Sequence, residues 1–356
     1  MIVDKRVFAD DHLPQQILHR ECETASLLRA LGPTTEPRRG DAIIYGPSGV
    51  GKTALTRSTV HRLSEERSVQ TAHVRCLGAS VATVARKVLE QLPGPNPAMN
   101  TPQEDLCLML RERVDEPLVV VLDEADDLAR TEVLSRLFDV PQISVVLVCH
   151  DVDSWLAAAD PTVRGRLSGT EIPLRRYTVD ALADILEERA RVGLVKGAVR
   201  RRVLEAIADE VAGVARDGIQ TLRAAAELAG RRERDRIGDG LVDEAHEAAL
   251  HRIREHNLAS LPLHHQVLYE LLRVEDGLRG GELHEQYDQV AEDVYAGRPL
   301  TPVNKGSRRR HLRKLRDYDL VEAVGENRNR VYQVLDKHVK PAVALDLSTR
   351  TESSST

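Results

Sequence analysis

The eight residues GPSGVGKT, Gly46 to Thr53, restrict what this chain can fold into more than any other stretch of it. They fit the pattern G-x-x-x-x-G-K-[ST]. The apolar run AIIY (Ala42–Tyr45) precedes them and the helical pattern ALTRSTVHRL follows. Strand, glycine-rich turn and helix are the context in which this pattern has chemical meaning. Glycines let successive backbone N–H groups curl around phosphate oxygens, and the helix start adds the positive end of its dipole. Gly46, Pro47, Ser48, Gly49, Val50 and Gly51 would form that cradle. Lys52 is expected to reach the β- and γ-phosphates, and the Thr53 hydroxyl to ligate Mg²⁺. The plainer alternative, a glycine-rich turn that happens to carry a lysine, leaves the flanking strand and helix unexplained. A nucleotide, ATP or ADP, with Mg²⁺ is the expected cofactor.

A second strand sharpens that expectation. LVVVLDEAD (Leu118–Asp126) places an Asp-Glu pair at the end of an apolar run, with Asp123 standing 71 residues after Lys52. Asp123 would orient the hydration shell of Mg²⁺, and Glu124 would polarise the attacking water. Alone, such a pair is as readily an acidic cap on the next helix. Beside a phosphate loop it favours hydrolysis. AIIY, LVVVL and VVLV (Val145–Val148) are short and uniformly apolar, as strands buried on both faces of a parallel sheet are. The fold class is α/β.

With 356 residues, the chain is expected to hold two or three domains. Aromatic residues make up only 3%, so the core must be mostly aliphatic. The nucleotide-binding base is assigned to residues 1–170 and an all-helical unit to 171–256. The third unit is assigned to 257–345 and a disordered tail to 346–356. Thr178 or Asp180 is expected to cap the first helix of the second unit. Cys22, Cys76, Cys107 and Cys149 include no C-x-x-C pair, which argues against a disulfide framework and a zinc site. No signal-peptide pattern opens the chain, and its longest apolar runs fall far short of a membrane span. A cytoplasmic, nucleoid-associated protein without a membrane partner is expected. H-E-x-x-H and G-x-S-x-G are absent, so a zinc protease or a serine hydrolase is not indicated.

The third unit reads as three helices and a hairpin, LVEAV and RVYQVL joined by GENRNR, the pattern of a winged helix. The formal net charge of −6 excludes a histone-like polycation but conceals a local patch. Arg298, Lys305, Arg308, Arg309, Arg310, Arg313, Lys314 and Arg316 fall within 19 residues that hold no acid. Leu312 and Leu315 mark the buried face, and the charges are expected to project outward. Lys305, Arg308, Arg309, Arg310 and Arg313 would meet duplex DNA in the major groove, with Arg328 and Arg330 at the wing tip in the minor groove. A solvated cationic face, or a winged helix used for protein contacts, would carry the same charges.

Together these residues resemble the archaeal origin-recognition and helicase-loader proteins, AAA+ ATPases that initiate DNA replication. The likeness runs over roughly residues 7–335. It implies a P-loop AAA+ base with a parallel sheet, an all-α lid and a C-terminal winged-helix domain. It also implies an ATP-dependent protein that recognises double-stranded origin DNA, and a replicative helicase as partner. VFADDHLPQQILHRECE (Val7–Glu23) resembles the family's leading segment, which implies that Arg20 lies beside the nucleotide base. DPTVRGRL (Asp160–Leu167) resembles the segment that offers an arginine finger to a neighbouring subunit, implying Arg164 in that role, or Arg166, and oligomerisation through the ATP site. VARDGIQTLRAAAELA (Val214–Ala229) resembles the second sensor of the lid, which implies that Arg216 touches the phosphates. Where the family ends its first-sensor strand in Ser-Asn, this chain has Cys149 and His150, so His150 is the candidate donor there. That departure points to a divergent paralogue and a slow ATPase. A nucleotide-sensing transcriptional or plasmid-replication regulator, and a DNA-binding paralogue locked on ADP, are the competing readings.

Overall fold

The computed structural model describes residues 1–14, 16–32, 40–66, 69–128, 131–298, 300–326 and 330–343. The expected tail and residues 327–329 of the GENRNR turn, with Arg328 among them, lie outside the described residues. The chain falls into two compact units, Met1–Val242 and Asp243–Thr356.

The first unit is built on a five-stranded parallel sheet in the order β2-β3-β4-β1-β5. Its strands are β1 (Ala42–Tyr45), β2 (Gln70–Arg75), β3 (Leu118–Asp123), β4 (Ile143–Cys149) and β5 (Glu171–Pro173). Successive residues of a strand point to opposite faces, and here both faces are covered. Ile43, Val120, Leu122 and Leu147 enter one apolar core, whereas Ala42, Ile44, Val119, Val121 and Val146 enter the other. Helices α3 (Val81–Leu89), α4 (Gln103–Arg113) and α5 (Glu132–Phe138) line the first core, followed by α6 (Val152–Ala158) and α7 (Pro161–Leu167). Helices α1 (Glu21–Ala30) and α2 (Lys52–Glu66) line the second. Because every strand runs the same way, the turns after β1, β3 and β4 open on one edge of the sheet, where ligands of open α/β folds bind.

Beyond the sheet, α8 (Val179–Gly193), α9 (Arg201–Glu210) and α10 (Ala215–Arg231) pack together through Leu182, Leu186, Leu204, Ile207 and Leu222. Thr178 caps α8, accepting from the Ala181 N–H at 3.3 Å. The first ten residues lie on these helices. Val3 N–H donates to Gly193 O at 2.8 Å, Arg189 Nη1 donates to Val7 O at 3.0 Å, and the Phe8 ring is fully buried.

The second unit opens with α11 (Val242–Ser260) and continues with α12 (Leu263–Val274), β6 (Leu278–Arg279), α13 (Gly280–Tyr295), α14 (Lys305–Asp317), β7 (Val321–Val324) and β8 (Val331–Val334). The strands pair antiparallel in the order β6-β8-β7. After α11, the three helices α12, α13 and α14 with a terminal hairpin follow the winged-helix order, and the short β6 adds a third strand to the expected pair. Asn304 caps α14, its side chain accepting from Ser307 N–H at 2.9 Å. Cys76, Cys107 and Cys149 are buried, whereas Cys22 is exposed on α1. Among the described residues, no helix is long and apolar enough to cross a membrane.

Candidate nucleotide site and basic helix

The loop between β1 and α2 carries its glycines where side chains have no room. Gly46 has φ +147°, and a Cβ there would stand 2.1 Å from Leu174 O. Gly49 has φ +73°, and its Cβ would meet Val214 Cγ1 at 2.5 Å. Both demands select glycine: Gly46 lies against the chain just after β5, and Gly49 against the chain that leads into α10. Lys52 Nζ donates to Gly46 O and Pro47 O, each at 2.7 Å, so the ammonium is held inside the curl of the loop.

Thr53 Oγ1 donates to Asp123 Oδ2 at 2.9 Å, across 70 residues of sequence. The other oxygen, Asp123 Oδ1, accepts from the Glu124 N–H at 3.1 Å. Two hard oxygen donors side by side at the mouth of a phosphate cradle fit Mg²⁺, which takes one or two protein ligands and keeps its waters. Burial pushes the Asp123 carboxyl above its usual range, against the Thr53 hydrogen bond that lowers it. Glu124 has left-handed backbone, φ +57°, which turns the chain sharply off the strand. Its Oε1 accepts from Arg75 Nε at 3.1 Å. Arg75 ends β2 in register with Asp123, so an edge strand delivers a guanidinium to the carboxylate expected to polarise water.

His150 follows β4 and is half-buried; its N–H donates to Asp126 Oδ2 at 2.9 Å, tying the end of β4 to the acidic turn. Arg216 sits in the first turn of α10, where its N–H donates to Gly49 O at 3.1 Å and its guanidinium pairs with Asp10 at 2.7 Å. Arg20 is only 5% exposed. It donates to Glu23 Oε1 at 2.8 Å and to Arg175 O, and lies 4.1 Å over the Tyr177 ring, whose hydroxyl is 3.8 Å from a Cβ position on Gly51. Arg20 therefore braces the loop from beneath through Tyr177. The two finger candidates are both engaged. Arg164 donates to the carbonyls of Leu156, Ala157 and Ala159 at the end of α6. Arg166 pairs with the buried Asp41 at 2.6 Å and stacks on Phe138.

On α14, Lys305, Arg309, Arg310, Arg313 and Arg316 are exposed, and Arg330 is exposed at the start of β8. Arg308 corrects the expectation that the charges project outward. It is 5% exposed, donates to Val303 O and His284 O, pairs with Asp288 and covers the Tyr287 ring. A cation so enclosed cannot meet a DNA phosphate. Lys314 is also buried, lying 4.6 Å over Tyr318. The residues that sequence reasoning missed are Arg75, Asp10, Asp126 and Tyr177. Arg75, Asp10 and Tyr177 act on motif residues from distant parts of the chain, whereas Asp126 closes the Asp-Glu stretch itself; only the end of β2, once recognised as a strand, would have pointed to Arg75. Among the described residues, no group of three His, Cys, Asp or Glu side chains could hold a metal ion.

The sheet order, the phosphate loop with its Asp-Glu strand and the helical bundle against the loop together define a AAA+ ATPase. Residues 16–149 match the family model of the AAA ATPase domain, and residues 183–247 match that of the Cdc6 AAA+ ATPase-type lid domain. Over 344 residues the chain is 30% identical to ORC1-type DNA replication protein 9 of Halobacterium salinarum, covering 94% of each. The Aeropyrum pernix ORC1 protein, solved in complex with DNA, superimposes with a TM-score of 0.73 at 25% identity, over 94% of this chain and 93% of that one. The Aeropyrum pernix ORC2 protein, solved as ADPNP–ADP complexes, gives a TM-score of 0.60 at 25% identity, over 94% of each. The chain belongs to the archaeal origin-recognition family of AAA+ proteins, the ORC1-type DNA replication proteins.

Proposed function

We propose that this protein is an ATP-dependent DNA-binding protein that recognises replication origins and regulates the start of DNA replication, with its nucleotide state as the switch. The observation that carries the reading is the Thr53–Asp123 hydrogen bond of 2.9 Å at the mouth of the phosphate loop. It unites the two motifs that ATP chemistry needs, in a chain whose second unit bears an exposed cationic helix.

In this reading, a bound Mg²⁺–ATP supplies a phosphoanhydride whose cleavage changes the charge at the loop. Gly46–Gly51 offer backbone N–H groups to its phosphates and Lys52 neutralises them. Thr53 and Asp123 hold the metal's hydration shell, and Glu124 accepts the proton of the attacking water. Arg216 touches the phosphates from α10 and links nucleotide state to the angle of the helical lid. His150 donates from the end of β4, and Arg164 serves a neighbouring copy once it leaves the α6 carbonyls. Arg75 draws Glu124 away from water, which supports slow turnover. Lys305, Arg309, Arg310, Arg313 and Arg330 contact duplex DNA, and a replicative helicase is the downstream partner.

The decisive experiment pairs nucleotide binding with genome-wide DNA mapping. Lys52→Ala should abolish ATP binding, and the wild-type protein should be enriched at repeats beside a replication start. Equal ATP affinity in the two proteins overturns the nucleotide switch. Enrichment at promoters instead of replication starts makes the protein a transcriptional regulator.

A further inference from the structure

Arg216 is tied to the phosphate loop by its backbone and to a different part of the chain by its side chain. Its N–H donates to Gly49 O at 3.1 Å, and its Cβ lies 3.4 Å from where a Cβ on Gly49 would sit. The guanidinium stem therefore starts at the phosphate cradle. The head, however, is held by an anion. Nε and Nη2 donate to the same oxygen, Asp10 Oδ2, at 3.1 and 2.7 Å. The other oxygen, Asp10 Oδ1, accepts from Gln220 Nε2 at 3.0 Å, and that amide also donates to Phe8 O at 2.8 Å. Gln220 stands one helical turn after Arg216 on α10, so Arg216, Asp10 and Gln220 close a ring on one helix face.

Asp10 is not a loose surface carboxylate. The segment that carries it is fastened to α8 at points independent of Arg216. Val3 and Asp4 N–H groups donate to Gly193 O at 2.8 and 3.3 Å, and Val195 N–H donates to Met1 O at 2.9 Å. Arg189 Nη1 donates to Val7 O at 3.0 Å. The buried Phe8 ring fills the space over Gly193, where a Cβ would come within 2.5 Å of it. These contacts fix where residues 8–10 lie, and with them the position of the carboxylate.

We propose that Asp10 is a brake on Arg216: a built-in carboxylate that competes with nucleotide phosphate for the same guanidinium. The proposal rests on the reading of Arg216 as a phosphate-sensing residue. A phosphate approaching Gly49 meets a cation whose charge Asp10 already offsets, and a carboxylate that repels it. For Arg216 to swing onto phosphate, the Asp10 bonds must open, and the Gln220 bridge to Phe8 loosens with them. Linkage makes the effect reciprocal: whatever docks residues 1–10 weakens phosphate sensing, and a phosphate that takes Arg216 loosens those residues. ATP brings more negative charge to the cradle than ADP, so the loss of a cation and the presence of a carboxylate penalise ATP more than ADP.

The pair is partly exposed, 23% for the Arg216 side chain and 36% for Asp10, so the expected effect is modest. In the full-length chain, Asp10→Asn should tighten binding of ATPγS about two- to fivefold in calorimetry, with a smaller change for ADP. Arg216→Ala should weaken ATPγS binding, and the double variant should match Arg216→Ala alone. Unchanged or weaker ATPγS binding in Asp10→Asn overturns the brake, as does a gain that persists without Arg216. Undiminished ATPγS binding in Arg216→Ala alone sinks the sensing role on which the brake rests, and so marks that failure apart. In the wild-type chain, saturating ATPγS should speed amide hydrogen exchange at Ala9 and His12, whose N–H groups donate to Arg6 O and Ala9 O on either side of Asp10, beyond the effect of ADP. Equal or stronger protection there overturns the proposal.

Discussion

The phosphate loop and the basic helix are both prominent in the sequence, and the structure fixes the direction of their side chains in different ways. Around the loop, Lys52 is held on the carbonyls of Gly46 and Pro47, and Thr53, Asp123 and Glu124 are joined by hydrogen bonds beside it. Along α14, two of the eight cations of the acid-free stretch, Arg308 and Lys314, point into the protein. The difference lies in what fixes direction. In the loop, the backbone does: glycines at positive φ and a strand end leave few places for the next side chain. On a helix, direction depends on which stripe the neighbours cover. Arg308 stands four residues before Leu312 and seven before Leu315, on the same face as both. Periodicity marks it as inward, and counting charge hides it.

The comparison breaks first at Glu124. Glu124→Gln should lower ATP turnover by about 10²- to 10⁴-fold while leaving ATP affinity unchanged, as read by single-turnover kinetics and calorimetry. Affinity and turnover falling together would make Glu124 a binding residue. The next effect concerns α14. With six exposed cations left in the stretch and Arg330 beside the wing, log affinity for duplex DNA should fall with log salt at a slope no steeper than about −6, or roughly four-thousandfold between 50 and 200 mM. A steeper slope would mean that the buried pair, or cations elsewhere, also meet phosphates.

Two further tests separate charge that binds from charge that packs. Arg308→Ala removes donors from Val303 O and His284 O and uncovers Tyr287, and should destabilise the second unit by about 2–4 kcal/mol in urea unfolding. Arg313→Ala should leave stability unchanged and reduce the salt slope by about one. A separate effect is read in acid. His265 is 4% exposed, its ring 4.2 Å from that of His311, and burial holds it down to about 2, with His311 and Lys314 adding to the depression. Burial likewise holds His311 down to about 4. Such histidines stay neutral in the folded state while the unfolded chain takes up protons below about 6.5. Their stabilising contribution is therefore complete above pH 6.5 and lost as pH falls toward 4, by about 1–3 kcal/mol per ring. Urea unfolding at pH 7.5 and 4.5 measures the loss, and His265→Phe should flatten it.

The strands that hold the site, β1, β3 and β4, were legible as short apolar runs because both their faces are buried. The edge strands were not. β2, QTAHVR, mixes polar and apolar residues, and β5 is three residues long. Missing β2 hid Arg75, since only the register with β3 brings it to Glu124. Asp10 and Arg216 lie 206 residues apart, and no local pattern announces such a pair. The enclosure of Arg20 by Glu23, Arg175 and Tyr177 is of the same kind. A motif names the residues whose backbone it dictates; their distant partners become visible only with the topology.

The distribution of thiols gives the chain a ready-made spectroscopic handle. Burial pushes the thiols of Cys76, Cys107 and Cys149 up, so they resist alkylation at neutral pH, while Cys22 is exposed. A maleimide dye therefore attaches at one position of the unaltered protein, two residues from Arg20 and the Tyr177 ring beneath the phosphate loop. Fluorescence from that dye would follow nucleotide exchange in real time, with no cysteine engineered in or removed.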